Sequence, residues 1–415
     1  MIRRALQNTG WLMGARGINA VLSLAYLALA TRALGVTGFG GFVLVVSFAQ
    51  AITGLASFQT WQAVVRWGQR PERAADAIGF AIALDLLSMA AGAAAAAALL
   101  LLAGEWLPIA DGLRPAALAF TLVSLLAIRS TPTGILRLHD RYAQAAAADS
   151  VTSLVRIAGA ALAALLAPGI GAFLIAWAVA ELATAGAYWW LAARVQPIAW
   201  RRIGLSRLPR AAARDGGTAA GAWRFVWGTS LSGTLLVASR QILVLLVGAL
   251  GGAALAGIYR VAAQLGEGLL KLAQALLRAT YPELVRDPAA ARAMAARIGR
   301  IALATGIAAT LLAALAGRWL IALIAGPDYL AAYGPMILLS AAAAIELAGA
   351  TLEALLVSRG HALGNMALRA VPTVLALAAL PLAIRQWGAM GPAAMVLGAS
   401  AATVLGLLIA TRRTA

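Results

Sequence analysis

The sequence predicts an all-α polytopic membrane protein with about twelve transmembrane helices, in two six-helix lobes related by pseudo-two-fold symmetry. Two observations predict the class. The 415 residues are 62% hydrophobic and 12% charged, with a mean hydropathy of +0.87, which exceeds the values of ordinary soluble domains. The apolar residues also fall into runs of about 20, the length that crosses a bilayer as a helix. A third observation, an internal repeat, predicts the two lobes.

The predicted crossings follow the apolar runs in order. Six lie in the first half, over 9–30, 38–62, 77–103, 115–136, 146–166 and 171–192. Six lie in the second half, over 225–250, 254–280, 301–325, 335–358, 367–384 and 392–410. The first run is of spanning length and a second follows closely, so we expect it to be retained as a helix and not cleaved as a signal.

The basic residues predict the orientation. Of the 33 Lys and Arg residues, 22 lie in loops on the side of the N-terminus and four lie on the opposite side, at Arg32, Arg114, Arg318 and Arg385. The positive-inside rule then places both termini in the cytoplasm. Because these loops account for the net charge of +18, we expect no nucleic-acid partner.

A shift of 216 residues aligns the two halves. It places Trp11 on Trp227 and the run 33–35 on 249–251, both of which read Ala-Leu-Gly. We predict an N-terminal lobe over 1–196, a basic cytoplasmic linker over 197–222 and a C-terminal lobe over 223–415. Repeats of parallel topology place a transported substrate between the lobes, which rock to give alternating access.

A polar stripe marks the eighth crossing. Its members recur at spacings of 4, 3, 4, 3 and 4, which is one face of a helix: Arg260, Gln264, Glu267, Lys271, Gln274 and Arg278. Ionisable groups at membrane depth cost roughly 2.5–3.5 kcal/mol each on insertion scales. Such a stripe is therefore typical of a polar passage in a transporter.

Polar faces on the first, second and seventh crossings extend this candidate passage. The substrate-binding candidates are Arg16, Asn19, Gln50, Arg240, Arg260, Gln264 and Lys271. Arginine suits an anionic phosphate because its planar guanidinium stays charged and donates two parallel hydrogen bonds.

Acidic residues at membrane depth are candidates for ion coupling or charge balance. They are Glu267, Glu346, Glu353 and Asp85. Glu267 and Lys271 are four residues apart in the favourable order, so a simple pair between them is an open alternative.

Purely structural roles are weighed for six charges, one of which is Asp85 again. We expect Asp85 and Glu181 each to pair with a nearby arginine. Asp149 and Arg156 are seven residues apart and could form one buried pair, and Arg129 and Arg278 are expected to reach the lipid headgroups.

The composition gives no sign of a cofactor or metal. The chain has no Cys, and His139 and His361 both fall in predicted short loops, which argues against a buried metal site. The external loops are short and the longest loop is internal and basic, so an enzyme with a soluble catalytic region is disfavoured.

Several short motifs resemble bacterial polysaccharide and O-antigen flippases of the multidrug, oligosaccharidyl-lipid and polysaccharide exporter superfamily. The segment 8–41 is similar to the opening of these proteins. Further likenesses are Gly257-Ile258-Tyr259, Tyr281-Pro282-Glu283-Leu284 and Gly326-Pro327-Asp328-Tyr329.

The resemblance implies a function and a location. It implies export of an undecaprenyl-diphosphate-linked oligosaccharide, such as an O-antigen or exopolysaccharide repeat unit, across the bacterial inner membrane. The implied partners are this lipid-linked oligosaccharide, membrane lipids, and a polysaccharide polymerase with its chain-length machinery. Arginines of the first helices and of helix eight line a cationic cavity in the related lipid II flippases, and Arg16 and Arg260 fit that pattern.

Two rival functions stay open. One is a cation-coupled multidrug exporter of the same superfamily, which should favour acidic groups and an aromatic, apolar pocket. The other is a membrane polysaccharide polymerase or glycosyltransferase. The first crossing offers Arg16 and no acid, which disfavours the exporter of cationic drugs.

Overall fold

The structure is a computed structural model that describes residues 2–207, 212, 218–284, 291–358 and 362–413. Within these ranges the side chains of 2–18, 20, 71, 231–238, 269–284, 291–298, 351, 354–355, 357–358, 362–363, 365 and 413 fall outside the description. The described residues form helices and connecting turns without a β-strand, so the predicted all-α class is confirmed.

Seven helices make up the first half of the chain. They are α1 (Ile2–Ala56), α2 (Thr60–Trp67), α3 (Pro71–Leu102), α4 (Arg114–Leu126), α5 (Ser130–Leu138), α6 (Tyr142–Leu166) and α7 (Ile170–Val195). Five helices follow in the second half: α8 (Ala219–Leu284), α9 (Ala291–Ile324), α10 (Tyr333–Ser358), α11 (Ala362–Trp387) and α12 (Met390–Arg413).

Ten helical runs in the described part are long and apolar enough to cross a membrane. Two of them, Val21–Trp67 and Ser239–Gly268, each contain a helix break and each overlap two of the predicted crossings. Eight single runs and two double runs match the twelve crossings predicted from the sequence.

The two breaks have nearly the same backbone conformation. Gly35 interrupts α1 with φ 65° and ψ −180°, and Gly252 interrupts α8 with φ 81° and ψ 173°. Glycine adopts a positive φ without the steric cost that a Cβ brings. The two glycines are 217 residues apart, so the backbone repeat differs by one residue from the shift of 216 that aligns the sequences.

Cα-contact clustering divides the chain into two compact units. The first unit contains Met1–Leu34 and Gly41–Leu246, and the second contains Gly35–Gly40 and Val247–Ala415. The predicted lobe boundaries stay a prediction.

A close backbone crossing lies in the second unit. A Cβ built on Gly40 would lie 1.8 Å from the carbonyl oxygen of Ala253, and one built on Gly257 would lie 2.9 Å from that of Val36. These two contacts are equivalent under the 217-residue repeat. The hydroxyl of Tyr329 donates to the carbonyl of Gly35 at 2.9 Å, which fixes the turn from a third segment.

Candidate functional site

Two apolar spans of the first unit are interrupted. The helix α1 ends at Ala56 and α2 begins at Thr60, while α4 ends at Leu126 and α5 begins at Ser130. A helix break exposes backbone amides that a bilayer cannot hydrate, so broken helices are tolerated where protein or a cavity satisfies them. In other transporters, discontinuous helices mark binding sites.

Asp85 of α3 satisfies donors at both breaks. Its Oδ1 accepts a hydrogen bond from the Thr60 hydroxyl at 2.9 Å. Its Oδ2 accepts one from the Thr131 hydroxyl at 2.6 Å and one from the Thr131 backbone amide at 3.2 Å. Asp85 is 8% exposed, and one carboxylate therefore joins the first turns of α2 and α5.

Two serines satisfy further amides at the first break. The Trp61 amide donates to the Ser130 hydroxyl at 3.1 Å, and the Gln59 amide donates to the Ser230 hydroxyl at 3.2 Å. The helices α2 and α5 also pack closely, since a Cβ on Gly134 would lie 2.8 Å from the Trp61 Cα. The two breaks therefore form one hydrogen-bonded assembly.

A glutamate shared by two arginines lies beside the second break. Nη2 of Arg129 donates to Oε2 of Glu181 at 3.0 Å, and Nη2 of Arg156 donates to Oε1 of the same carboxylate. These side chains are 33%, 24% and 15% exposed for Arg129, Arg156 and Glu181. Two positive charges thus meet one negative charge, which leaves one positive charge in excess.

Aromatic side chains support this cluster. The Arg156 guanidinium carbon lies 4.2 Å from the centroid of the Trp177 ring, a cation–π contact. Trp177 also stacks on Phe42, with centroids 5.1 Å apart and an interplanar angle of 16°.

A half-open cavity of about 290 Å³ lies among these groups. Its lining combines the residues of both breaks with the ion cluster: Gln50, Thr53, Ser57, Phe120, Ser124, Ala127, Ile128, Arg129, Ser130, Trp177 and Glu181. Among the described residues, Nη1 of Arg129 and Nε1 of Trp177 are buried without a hydrogen-bond partner. The ion cluster beside the cavity therefore carries one positive charge in excess of Glu181, two unpartnered donors lie buried on residues of the lining, and the lining adds several hydroxyls.

The predicted residues of the first unit have different surroundings. Gln50 lines the cavity and Asp85 joins the breaks next to it. Asn19 is half-buried and Arg240 is exposed. The side chain of Arg16 lies outside the described residues.

The predicted residues of the second unit include part of the polar stripe. Arg260, Gln264 and Glu267 are all half-buried on α8. Lys271, Gln274 and Arg278 have side chains outside the described residues, so the alternative pair between Glu267 and Lys271 stays a prediction.

The two acids of α10 each have a partner in the same unit. Glu346 accepts a hydrogen bond from Ser400 at 2.8 Å, and Glu353 forms an ion pair with Arg369 at 3.0 Å. Their assignment to coupling or charge balance stays a prediction.

Three expectations about structural charges are wrong. Asp85 was expected to pair with an arginine, but its carboxylate accepts from hydroxyls and an amide. Asp149 accepts a hydrogen bond from the Tyr188 hydroxyl at 2.8 Å, while Arg156 pairs with Glu181. Arg129 binds the same glutamate inside its span and does not extend to headgroups. The expected pairing of Glu181 with an arginine is confirmed.

The sequence analysis missed the cavity because it did not bring Arg129, Arg156 and Glu181 together. One signal for the second break was present. Ser130-Thr131-Pro132 places two capping hydroxyls before a residue that has no backbone N–H, a pattern typical of a helix start.

Comparisons with known proteins identify the family. The polysaccharide biosynthesis protein family matches residues 5–286. The inner membrane protein YghQ of Escherichia coli (strain K12) is 32% identical over 342 residues, covering 80% of this chain and 95% of that protein.

Solved structures share the fold. The lipid II flippase MurJ in an inward closed conformation matches with a TM-score of 0.76 and 12% identity, covering 97% of this chain and 87% of that one. An inward-facing multidrug resistance MATE transporter matches with a TM-score of 0.65 and 15% identity, covering 95% and 94%. The chain is a multi-pass membrane protein of a transporter fold, and it belongs to the polysaccharide biosynthesis protein family.

Proposed function

We propose that the protein exports an undecaprenyl-diphosphate-linked oligosaccharide across a bacterial inner membrane by alternating access through a cationic passage. The cargo is an O-antigen or exopolysaccharide repeat unit. Membership of the polysaccharide biosynthesis protein family supports a glycan as the cargo. The fold shared with MurJ and MATE transporters supports movement of a cargo across the bilayer.

The observation that carries the proposal is the ion cluster of the first unit, in which two arginines share one glutamate. Arg129 and Arg156 share Glu181 beside a cavity that is lined by hydroxyl side chains. Such surroundings favour an anionic, hydroxylated cargo over a cationic drug. The guanidinium of Arg260, half-buried on α8, adds a positive charge in the second unit.

The membrane potential supplies a driving force for such a cargo. Moving one elementary charge across about 100 mV is worth roughly 2.3 kcal/mol. A net anion that leaves a negative cytoplasm moves downhill. The proposal includes cytoplasmic termini and delivery of the cargo to a polymerase with its chain-length machinery.

A cation-coupled multidrug exporter is the second candidate, because the fold also matches MATE transporters. A cationic drug is attracted by negative charge in its pocket. Glu181 contacts two arginines, and this disfavours a cationic cargo in the cavity of the first unit.

Transport can be measured in liposomes that hold the purified chain and an undecaprenyl diphosphate with a fluorescent oligosaccharide. A membrane-impermeant quencher reports the label that reaches the outer leaflet. We expect the chain to accelerate this movement. Arg16→Ala and Arg260→Ala should each slow it about tenfold or more, because a hydrogen bond to a charged group contributes about 1.5–3 kcal/mol.

The matched control is Arg385→Ala, which removes an exposed arginine at the end of α11. This variant should transport at the rate of the unaltered chain. Liposomes with the unaltered chain that are no faster than empty liposomes would refute transport of this cargo. Unchanged rates in both single variants and in the double variant would remove Arg16 and Arg260 from the passage.

A further inference from the structure

We propose that the cavity of the first unit binds one carboxylate-bearing sugar residue of the cargo, an inference that rests on the proposed glycan transport. It assigns a ligand to a site formed by helix breaks, the Glu181 cluster and a hydroxyl-lined wall. This site is distinct from the polar stripe of α8.

The charge of the cavity fits a single negative group. Arg129 and Arg156 together carry two positive charges, and Glu181 offsets one of them. A diphosphate, with more than one negative charge, would remain undercompensated here, whereas one carboxylate would be balanced. Nη1 of Arg129, buried without a partner among the described residues, supplies a donor for it.

The neutral lining fits a polyol better than a bare anion. The Thr53 hydroxyl donates to the Gln50 carbonyl at 3.3 Å, and the Ser124 hydroxyl donates to the Phe120 carbonyl at 2.8 Å. Both oxygens therefore have lone pairs left to accept hydrogen bonds. A small anion has no hydrogen to donate to these acceptors, but a sugar hydroxyl both donates and accepts.

Donors are present beside these acceptors. The Ser130 hydroxyl oxygen accepts from the Trp61 amide, so its own hydrogen is free to point elsewhere. The Trp177 Nε1–H is unpartnered among the described side chains. A lining that combines donors and acceptors suits the hydroxyls of a sugar ring, which both donate and accept.

The size of the cavity also favours a ring over an inorganic ion. A water molecule has a share of about 30 Å³ in the liquid, and the cavity has about 290 Å³. The space is therefore far larger than chloride or acetate needs. Phe42 stacks on the Trp177 ring and Arg156 lies over it, so this ring contributes its edge and recognition depends on hydrogen bonds.

The site is preorganised by the contacts below it. Asp85 holds the first turns of α2 and α5 through three hydrogen bonds, and the cavity is lined by residues that precede those turns. A wall fixed before binding loses less conformational entropy when the ligand arrives.

Binding can be tested on the full chain in nanodiscs by saturation-transfer NMR, which detects weak sugar ligands. The probes are glucuronate, glucose and acetate at constant ionic strength. We expect saturable transfer to glucuronate, with glucose and acetate each at least about tenfold weaker. Excess acetate should compete poorly.

Two variants test the recognition of the carboxylate and of the sugar hydroxyls separately. Arg129→Gln removes one of the two guanidinium groups on Glu181 but leaves the one-to-one pair of Arg156 with Glu181, so the fold should persist. The affinity for glucuronate should fall about tenfold or more. Thr53→Val removes an acceptor and should weaken glucuronate and glucose alike by a few-fold.

Matched controls lie outside the cavity. Thr121→Val removes a buried hydroxyl of α4 that bonds to its own helix at the Ala117 carbonyl. Arg114→Gln removes an arginine paired with Asp111 at a distance from the cavity lining. Both variants should bind glucuronate as the unaltered chain does.

The outcomes distinguish a sugar-binding site from a general anion site. Absence of saturable glucuronate binding, or equal binding by Arg129→Gln, would overturn the proposal. Equal binding of acetate and glucuronate would show a general anion site and overturn the assignment of a sugar. Transport of a neutral lipid-linked oligosaccharide by the unaltered chain is measured separately, so failure of the subsite and failure of the proposed function are distinguishable.

Discussion

The two halves of the chain differ in whether their second and fourth crossings are continuous helices. The second and fourth crossings are broken, at 57–59 and 127–129, and the breaks line a cavity with Glu181 and two arginines. Their counterparts in the repeat, 253–284 of α8 and the whole of α10, run as helix without such a break. In α10, Glu346 accepts a hydrogen bond from Ser400, and Glu353 forms an ion pair with Arg369. In the first half the cavity lies at the breaks, where the interrupted helices free backbone groups for other partners.

Loss of the shared carboxylate should have the largest effect. Glu181→Gln leaves Arg129 and Arg156 close together without a counter-charge, which for buried pairs costs about 3–5 kcal/mol. We expect about 3 kcal/mol of destabilisation, since the side chains keep partial exposure. Thermal unfolding in nanodiscs measures it.

The counterpart in the second half is Glu353→Gln. Its partner Arg369 is 39% exposed, so we expect a loss below about 1 kcal/mol. Equal losses in the two variants would contradict the asymmetry between the halves.

Substitutions at the close backbone crossing should cause the next largest loss of stability. Gly40→Ala places a Cβ 1.8 Å from a backbone oxygen, and overpacking costs about 1–3 kcal/mol or more. We expect a loss at the upper end, and a smaller one for Gly257→Ala, whose Cβ would be 2.9 Å from its nearest atom. The thermal midpoints of the two variants give the order.

Gly398→Ala is the matched control for a helix interior, since nothing lies within 4 Å of its added Cβ. It should be neutral or stabilising by up to about 1 kcal/mol. A destabilisation equal to that of Gly40→Ala would show that contact distance does not explain the effect.

Asp85→Asn should cost about 2 kcal/mol, because an amide keeps the shape but turns an N–H₂ toward donors of Thr60 or Thr131. Hydrogen exchange of the Thr131 amide should quicken with the loss of its acceptor. Glu346→Gln keeps an acceptor for Ser400 and should change stability by less than about 0.5 kcal/mol. Unchanged hydrogen exchange of the Thr131 amide in Asp85→Asn would show that the Asp85 carboxylate does not stabilise the helix breaks.

Much of the fold followed from local pattern. Each predicted crossing lies on helix in the described part of the structure, and the repeated Ala-Leu-Gly runs lie at or beside the two glycine breaks. The cavity did not follow, although Gln50 was correctly placed among polar groups. Arg129 and Arg156 reach Glu181 from 52 and 25 residues away, and helical spacing carries no information about partners on other helices.

The sequence by itself determined the approximate number and length of the crossings, and the repeated Ala-Leu-Gly runs that lie at or beside the two helix breaks. These depend on the transfer of single side chains and on single backbone torsions, so a linear pattern contains them. Only the tertiary structure decided which charges meet, that Asp149 binds Tyr188 and not Arg156, and that Asp85 joins two half-helices. Electrostatic partners depend on distances between helices, and those distances are set by packing.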